Sequence, residues 1–378
     1  MQACYLSLSP YNLVRIILGE KSPSDSERDN AYTRANASLA SWIRSGVLEK
    51  DSEPALYAYF QRFSVPDTRQ VLERKGFIGL GAVEDYSANI VHRHEQTLSG
   101  PKKDRLELLR HTHAHFGQIF MLYPDPELAV DKLLDAAAQN APVTEVTDEY
   151  GALHRLWKIT DPGTISCVQQ LMADKKLLIA DGHHRYETAL TFRNENPDWK
   201  AAGKVMMTFV NMHSPGLEIL ATHRVVRGLD EFDGAALVAK VDARKLASLD
   251  DLRGIFQKPA PGKVRMGITF PGGDVFLMER ERKPGELDVK ILHKDLLGKI
   301  LGLSEESVRE EKNLEYVRGL DLAVAKLRDG HAQVGFLLEP TTIEQVASVA
   351  FSGGVMPQKS TDFYPKLLSG MTIYKLEE

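Results

Sequence analysis

The sequence predicts an α+β fold, a mixed sheet covered by helices, on three observations. Short apolar runs rich in β-branched and aromatic residues recur along the chain, at Ala55–Phe63, Arg74–Val83, Gln118–Tyr123, Lys176–Ala180 and Val205–Asn211. Between them apolar residues return at helical spacing, as at Ala35, Leu39, Trp42 and Ile43. The two patterns follow one another without the fixed strand–helix period that closes a barrel.

Taken in order, Ala55–Phe63 and Arg74–Val83 flank a Pro-Asp loop and read as an antiparallel pair. A helix is expected from Asp104 to about His113, then the strand Gln118–Tyr123, a helix over Asp131–Asn140, and short strands at Thr144–Val146 and His154–Ile159. Lys176–Ala180 is an apolar strand, Asp181-Gly182 a turn that opens a helix, and that helix runs to about Asn196. Val205–Asn211 and Leu217–Val226 read as strands and Phe232–Leu246 as a helix. Arg265–Phe270 and Val275–Glu279 lie among clustered Pro and Gly residues and read as a hairpin. Ile291–Leu301 and Leu320–Asp329 are helical, and Ala332–Leu338 is a strand expected to rejoin the first sheet. This order divides the chain into a main α/β domain (1–228), a peripheral α/β sub-domain with the hairpin (229–330), and a C-terminal strand and loop returning to the main domain (331–378). No internal repeat is present.

At 378 residues, with 43% apolar and 26% charged residues and a mean hydropathy of −0.26, the chain can bury one large core or two moderate ones. A net charge of −5 and a pI near 6.2 exclude a whole-surface basic field for duplex DNA, so no nucleic-acid partner is expected. Cys4 and Cys167 have neither metal-type nor redox-type spacing. With no apolar run near the length of a membrane span and no secretory leader pattern, the expected compartment is the cytoplasm and no membrane partner is expected.

The densest chemistry is LLIADGHHRYETAL, Leu177–Leu190. An apolar strand ending in Asp-Gly and opening into a helix gathers free backbone N–H groups at the positive end of the helix dipole, a place suited to anions. Gly182 permits close approach, Arg185 supplies a bidentate cation, His183 and His184 can donate or move protons, and Asp181 can orient an imidazole or act as a base. Tyr186 is expected among the nucleotide contacts. Glu95, within His92-Arg93-His94-Glu95, is a second candidate base, followed by Lys102, Lys103 and Arg105, which are placed to meet phosphate. His-Arg occurs four times, at His92, His154, His184 and His223, where composition alone gives about one. Convergence of Arg93, Arg155, Arg185 and Arg224 on one pocket is therefore an expectation, with His223 and Arg224 as phosphate contacts. Gly353–Ser360 fails as a Walker loop because Gln358 replaces the glycine before Lys359, but Lys359, Ser360 and Thr361 remain candidate phosphate ligands. His111, His113 and His115 fit neither ligand geometry, and no metal ligand is assigned.

With HRLW at His154–Trp157, THRVV at Thr222–Val226 and PQKSTDFYPK at Pro357–Lys366, this segment resembles the bacterial and archaeal family called domain of unknown function 1015, over nearly the whole chain. That family usually has Pro-Pro-Tyr-Asp near its start. This chain has Ser9-Pro10-Tyr11-Asn12, so a role for that Asp is not carried over. Gly182, Arg185 and Ala189 also resemble the G-x-x-R-x-x-x-A box at which the ParB and sulfiredoxin superfamily binds nucleotide phosphates, which implies a ParB/sulfiredoxin-like core. Sulfiredoxins place a nucleophilic Cys after the glycine; His183 stands there, which removes thiol chemistry. The branch most similar is the free-serine kinases, with a D-G-H-x-R-like turn and a carboxylate that activates the serine hydroxyl. The resemblance implies a phosphotransfer enzyme for a small phosphorylated ligand, with a nucleotide and Mg as cofactors and free serine or phosphoserine as a possible substrate. A metal-dependent phosphoesterase and a non-catalytic nucleotide or metabolite sensor remain the alternatives.

Overall fold

The computed structural model describes residues 2–68, 70–95 and 100–377. Eight strands form the first sheet, in spatial order Val91–His92, Leu177–Asp181, Ile119–Tyr123, Lys204–Asn211, Val71–Ala82, Leu56–Ser64, Leu153–Ile159 and Thr144–Thr147. Two neighbouring pairs are parallel, Val91–His92 with Leu177–Asp181 and Ile119–Tyr123 with Lys204–Asn211, and the others are antiparallel. The sheet is mixed and the fold is α+β. The first hairpin forms as its alternation requires, from Tyr57 opposite Ile78 to Ser64 opposite Val71.

The centre of this sheet is buried on both faces, which is why Ile119–Tyr123 reads as an unbroken apolar run. Successive side chains point to opposite sides. Ile119, Met121 and Tyr123 enter one core with Phe77, Ile179, Tyr186 and Phe209. Phe120 and Leu122 enter another with Leu178, Val346, Met356 and Phe363. Tyr186 belongs to the helix His183–Glu195, whereas Val346 belongs to the helix Ile343–Phe351 and Phe363 to the strand Asp362–Tyr364. Helix 183–195 thus covers one face, and the chain's C-terminal part covers the other. The strand Leu177–Asp181 ends between the two layers.

Six antiparallel strands form a second sheet, in the order Arg244–Lys245, Val275–Glu281, Lys263–Thr269, Val334–Leu338, Thr222–Val226 and Leu314–Arg318. The expected hairpin is present, from Lys263 opposite Glu281 to Thr269 opposite Val275. One expectation is corrected. Val334–Leu338 does not rejoin the first sheet but lies in the interior of the second, between Lys263–Thr269 and Thr222–Val226. All five of its residues are buried, Val334, Phe336 and Leu338 in one core and Leu337 in another, so only a strand covered on both faces suits it. The helix expected over Phe232–Leu246 is shorter, Gly234–Lys240. Asp242 then takes a left-handed backbone (φ 51°), and Arg244–Lys245 pairs with Val275–Glu281.

Several helices are marked by their caps. Asp161 caps Pro162–Met172, and capping boxes open Leu249–Phe256 (Ser248 with Asp251) and Ile343–Phe351 (Thr342 with Gln345). Two short pairings tie the C-terminal part to earlier chain: Glu218–Leu220 with Asp362–Tyr364, and Ala114–His115 with Tyr374–Lys375. Among the described residues no helix is long and apolar enough to cross a membrane. Phe336 is fully buried at the middle of the second sheet, whereas Leu322 is 53% exposed. Phe336→Ala is expected to cost about 3–5 kcal/mol in urea unfolding, and Leu322→Ala to fall within about 0.5 kcal/mol of wild type.

Candidate functional site

The site grows from the end of the strand Leu177–Asp181. Gly182 is the N-cap of the helix His183–Glu195 and has φ 97°, a conformation that favours glycine. A Cβ at Gly182 would lie 3.1 Å from both Nε and Nη2 of Arg185, so the absent side chain also makes room for the guanidinium. The N-cap glycine supplies no side-chain cap to this helix. Arg185 is fixed in place: Nη2 lies 2.7 Å from Asp181 Oδ2, and Nη1 donates to the Gln118 carbonyl. Arg105, on the neighbouring helix Gly100–Thr112, adds a second guanidinium. Desolvation and then the like charge of Arg185 lower its pKa, while Asp181 opposes them. Among the described residues Arg105 has no hydrogen-bonded carboxylate.

The segment 357–366 closes the other side. Lys366 Nζ lies 3.4 Å from Asp181 Oδ1 and 3.2 Å from Asp362 Oδ1. Burial pushes the Asp181 carboxyl up, but the Lys366 and Arg185 cations outweigh it and hold it at about 2. Glu95 forms a parallel bridge with Met356, whose N–H donates to the His94 carbonyl at 2.7 Å. Burial raises the Glu95 pKa, opposed by the Lys359 ammonium and by the Lys359 backbone N–H, which donates to the carboxylate. The same pair of elements holds an imidazole. His94 Nδ1 lies 2.9 Å from the Ile179 carbonyl, which can only accept, so Nδ1 carries the proton and Nε2 accepts from the Thr361 hydroxyl at 2.8 Å. Burial lowers the His94 pKa to about 4. Its ring packs edge-on to His183, 4.8 Å between centroids. His183 is buried, is held well below the usual histidine range by desolvation and by His94, and has no hydrogen-bond partner for Nε2 among the described residues.

Of the residues singled out in the sequence, the structure brings together Asp181, Gly182, His183, His184, Arg185, Arg105, Glu95, Lys359 and Thr361. Others are placed elsewhere or are already engaged. Lys102 pairs with Glu187, which also faces Arg93 at 3.3 Å, and so is not a free phosphate ligand. Tyr186 is a core residue with no exposure, its hydroxyl donating to the Glu84 carbonyl. His223 is buried and accepts the Leu338 N–H on Nδ1. Arg224 is 1% exposed and donates to the carbonyls of Thr222, Gln358 and Lys359. Ser360 is buried and donates to the Pro357 carbonyl. Tyr186, His223, Arg224 and Ser360 are thus buried and engaged with other groups of the protein. The four His-Arg arginines do not share one pocket, because Arg155 pairs with Glu73 and stacks on Trp157. His111, His113 and His115 face Tyr32, Trp199 and Tyr374 respectively. Lys366, Gln118 and His94 were given no role from sequence. Lys366 had a signal only in closing the PQKSTDFYPK segment. An open groove of about 750 Å³ on the second sheet, against Phe232, Phe270 and Phe276, has only Asp242 and Asp274 as charged lining groups and suits no anion.

The pattern of the family described as "Protein of unknown function (DUF1015)" matches residues 1–322. The chain belongs to this family. No curated protein matches this DUF1015 sequence. Among solved structures it is similar to a conserved hypothetical protein from Pyrococcus furiosus, at 12% identity over 79% of this chain and 95% of that one, TM-score 0.40. It is also similar to a free serine kinase in complex with AMP, at 14% identity over 76% of this chain and 86% of that one, TM-score 0.39.

Gly182→Ala is expected to cost about 1–3 kcal/mol and to displace Arg185. Gly203→Ala, where a Cβ meets nothing within 4 Å, is the matched control in urea unfolding. The buried imidazoles also set a pH dependence. His94 and His223 are both depressed to about 4, chiefly by burial, against about 6.5 in the unfolded chain. Their contribution is therefore complete above about pH 6.5 and is lost as pH falls toward 4, by up to about 1.4 kcal/mol per unit for each histidine. Urea midpoints that stay flat between about pH 6.5 and about pH 4.5 would contradict this.

Proposed function

We propose that this DUF1015 protein is a phosphotransfer enzyme that binds a nucleotide or another small phosphorylated metabolite at the Gly182 turn, with free serine or phosphoserine in its substrate class. The observation that carries the reading is the meeting of Arg185 and Arg105 at a helix N-terminus, beside two carboxyls of opposite character. Arg185 is held rigidly by Asp181 and Gln118, so its planar fork is preorganised for phosphate oxygens. Arg105, without a hydrogen-bonded carboxylate among the described residues, gains a counter-charge when an anion enters. The unpartnered, buried His183 Nε2 is a further polar atom that a ligand would satisfy.

The two carboxyls divide the remaining work. Asp181 stays ionised and is engaged by both Arg185 and Lys366, so its role is to hold these cations. Glu95 has a raised pKa and no salt bridge among the described residues, so it is the group that takes a proton from an acceptor hydroxyl. Magnesium would enter with a nucleotide and be held by the nucleotide's own phosphate oxygens, where it neutralises charge. The metal-dependent esterase alternative needs several protein donors facing one point. Among the described residues no group of three or more His, Cys, Asp or Glu is so arranged.

A thermal-shift screen of nucleotides, phosphoserine and serine with magnesium, followed by ADP-release or phosphate-release assays on the hits, tests the reading. Arg185→Ala is expected to lower kcat/KM about 10²–10³-fold and to weaken phosphate binding. Glu95→Gln is expected to retain ligand-induced stabilisation and lose turnover. Stabilisation by no phosphate compound, or wild-type turnover in Arg185→Ala, would refute it.

A further inference from the structure

Two arginines in the interior have no carboxylate partner among the described residues. Arg74 is 1% exposed and donates to Gln61 Oε1 at 3.0 Å, to the Tyr364 carbonyl at 3.1 Å and to the Pro365 carbonyl at 2.5 Å, with its guanidinium 4.6 Å from the centre of the Phe120 ring. Gln61 Nε2 in turn donates to the Lys366 carbonyl at 3.0 Å. Three successive carbonyls, those of residues 364, 365 and 366, are thereby held. Arg224, also 1% exposed, lies on the second sheet, 5.1 Å from the centre of the Tyr316 ring, and donates to the Lys359 carbonyl at 3.0 Å and to the Gln358 carbonyl at 3.5 Å.

Burying a guanidinium without a counter-ion is costly, and an apolar side chain of similar size would fill the same space without that cost. What both arginines gain is a grip on one segment. Beyond Gln61 and Thr222, all their hydrogen-bond acceptors are backbone carbonyls of residues 358–365. Each grip ends at a lysine that faces the site. Lys366 follows the carbonyls held by Arg74 and reaches Asp181, and Lys359 owns the carbonyl held by Arg224 and opposes Glu95. Lys359 also has a left-handed backbone (φ 56°), a strained conformation for a residue with a side chain, which its surroundings must hold. We infer that Arg74 and Arg224 are positioning residues: the two buried guanidiniums hold the 357–366 segment as a strap, so that Lys366 stands against Asp181 and Lys359 against Glu95. The inference rests on the phosphotransfer reading only in treating these carboxyls as the working groups.

The test needs no turnover. Carboxyl-¹³C NMR titration of the full-length chain follows both acids, with their signals assigned from Asp181→Asn and Glu95→Gln. Arg74→Lys and Arg224→Lys keep the charge but lose the multidentate fork, which separates positioning from a direct charge effect. Arg74→Lys is expected to raise the Asp181 pKa by about one unit or more, because a receding cation no longer favours the ionised form, and to raise Glu95 by less, because Lys366 acts on that carboxyl only as a minor neighbour. Arg224→Lys is expected to raise Glu95 and leave Asp181 unchanged. Wild-type titration of both acids in these variants, a Glu95 shift as large as that of Asp181 in the Arg74 variant, or an Asp181 shift in the Arg224 variant overturns the inference. If a lysine variant does not fold, the methionine variant is read by amide hydrogen exchange over residues 357–366, which speeds up if the arginine holds the segment and stays at the wild-type rate if it does not. The expected pattern in a protein that binds no phosphate compound would keep the strap and discard the phosphotransfer reading.

Discussion

The Asp181 carboxylate joins three parts of the chain that are far apart in sequence. It closes the strand Leu177–Asp181, holds the first-turn Arg185 of the following helix through one oxygen, and meets Lys366 from the C-terminal segment through the other. Each contact is only partly shielded, so neither ion pair is a large source of stability by itself. Their value is geometric. With Gln118 taking the second nitrogen of Arg185, the guanidinium has one orientation, and Gly182 leaves the space that this orientation needs.

That arrangement depends on where the strand ends. Because the central strands are covered on both faces, helix 183–195 packs on one side of the sheet and residues 343–364 pack on the other, and the strand Leu177–Asp181 contributes to both cores. Glu95, His94 and Thr361 meet there because Met356 bridges to Glu95 and the Met356 N–H bonds to the His94 carbonyl. Burial then acts differently on the groups. It keeps His94 and His183 neutral and raises Glu95, while Asp181, with two cations beside it, stays ionised. Two carboxyls a short distance apart in the fold thus have separate protonation behaviour, set by neighbours rather than by residue type.

Some of this was legible in the residues. The strand–turn–helix of LLIADGHHRYETAL, the first hairpin, the second-sheet hairpin and the mixed α+β class all rest on local patterns: apolar alternation, helical spacing, and Gly or Pro at turns. Other features have no local signal. VGFLL at residues 334–338 is equally suited to any doubly covered strand, so its sheet could not be read from its composition. Lys102 and Arg224 had the right charge for a phosphate site, but their partners, Glu187 and the 358–359 carbonyls, lie 85 and about 135 residues away in the chain.

By itself the sequence determined where the backbone must turn, which runs must be buried, and that Asp-Gly-His-His-Arg opens a helix, because each follows from the dihedral freedom of glycine, the hydrophobic period and the helix dipole within a few residues. Only the tertiary structure decided which charged groups face one another: that Lys366 rather than Lys102 stands by the turn, that Arg74 and Arg224 lie inside holding carbonyls, and that Glu95 rather than Asp181 has the raised pKa. The physical reason is distance. Charge pairing and desolvation act through a few ångströms of space, and the fold sets those distances between residues that the chain itself keeps far apart.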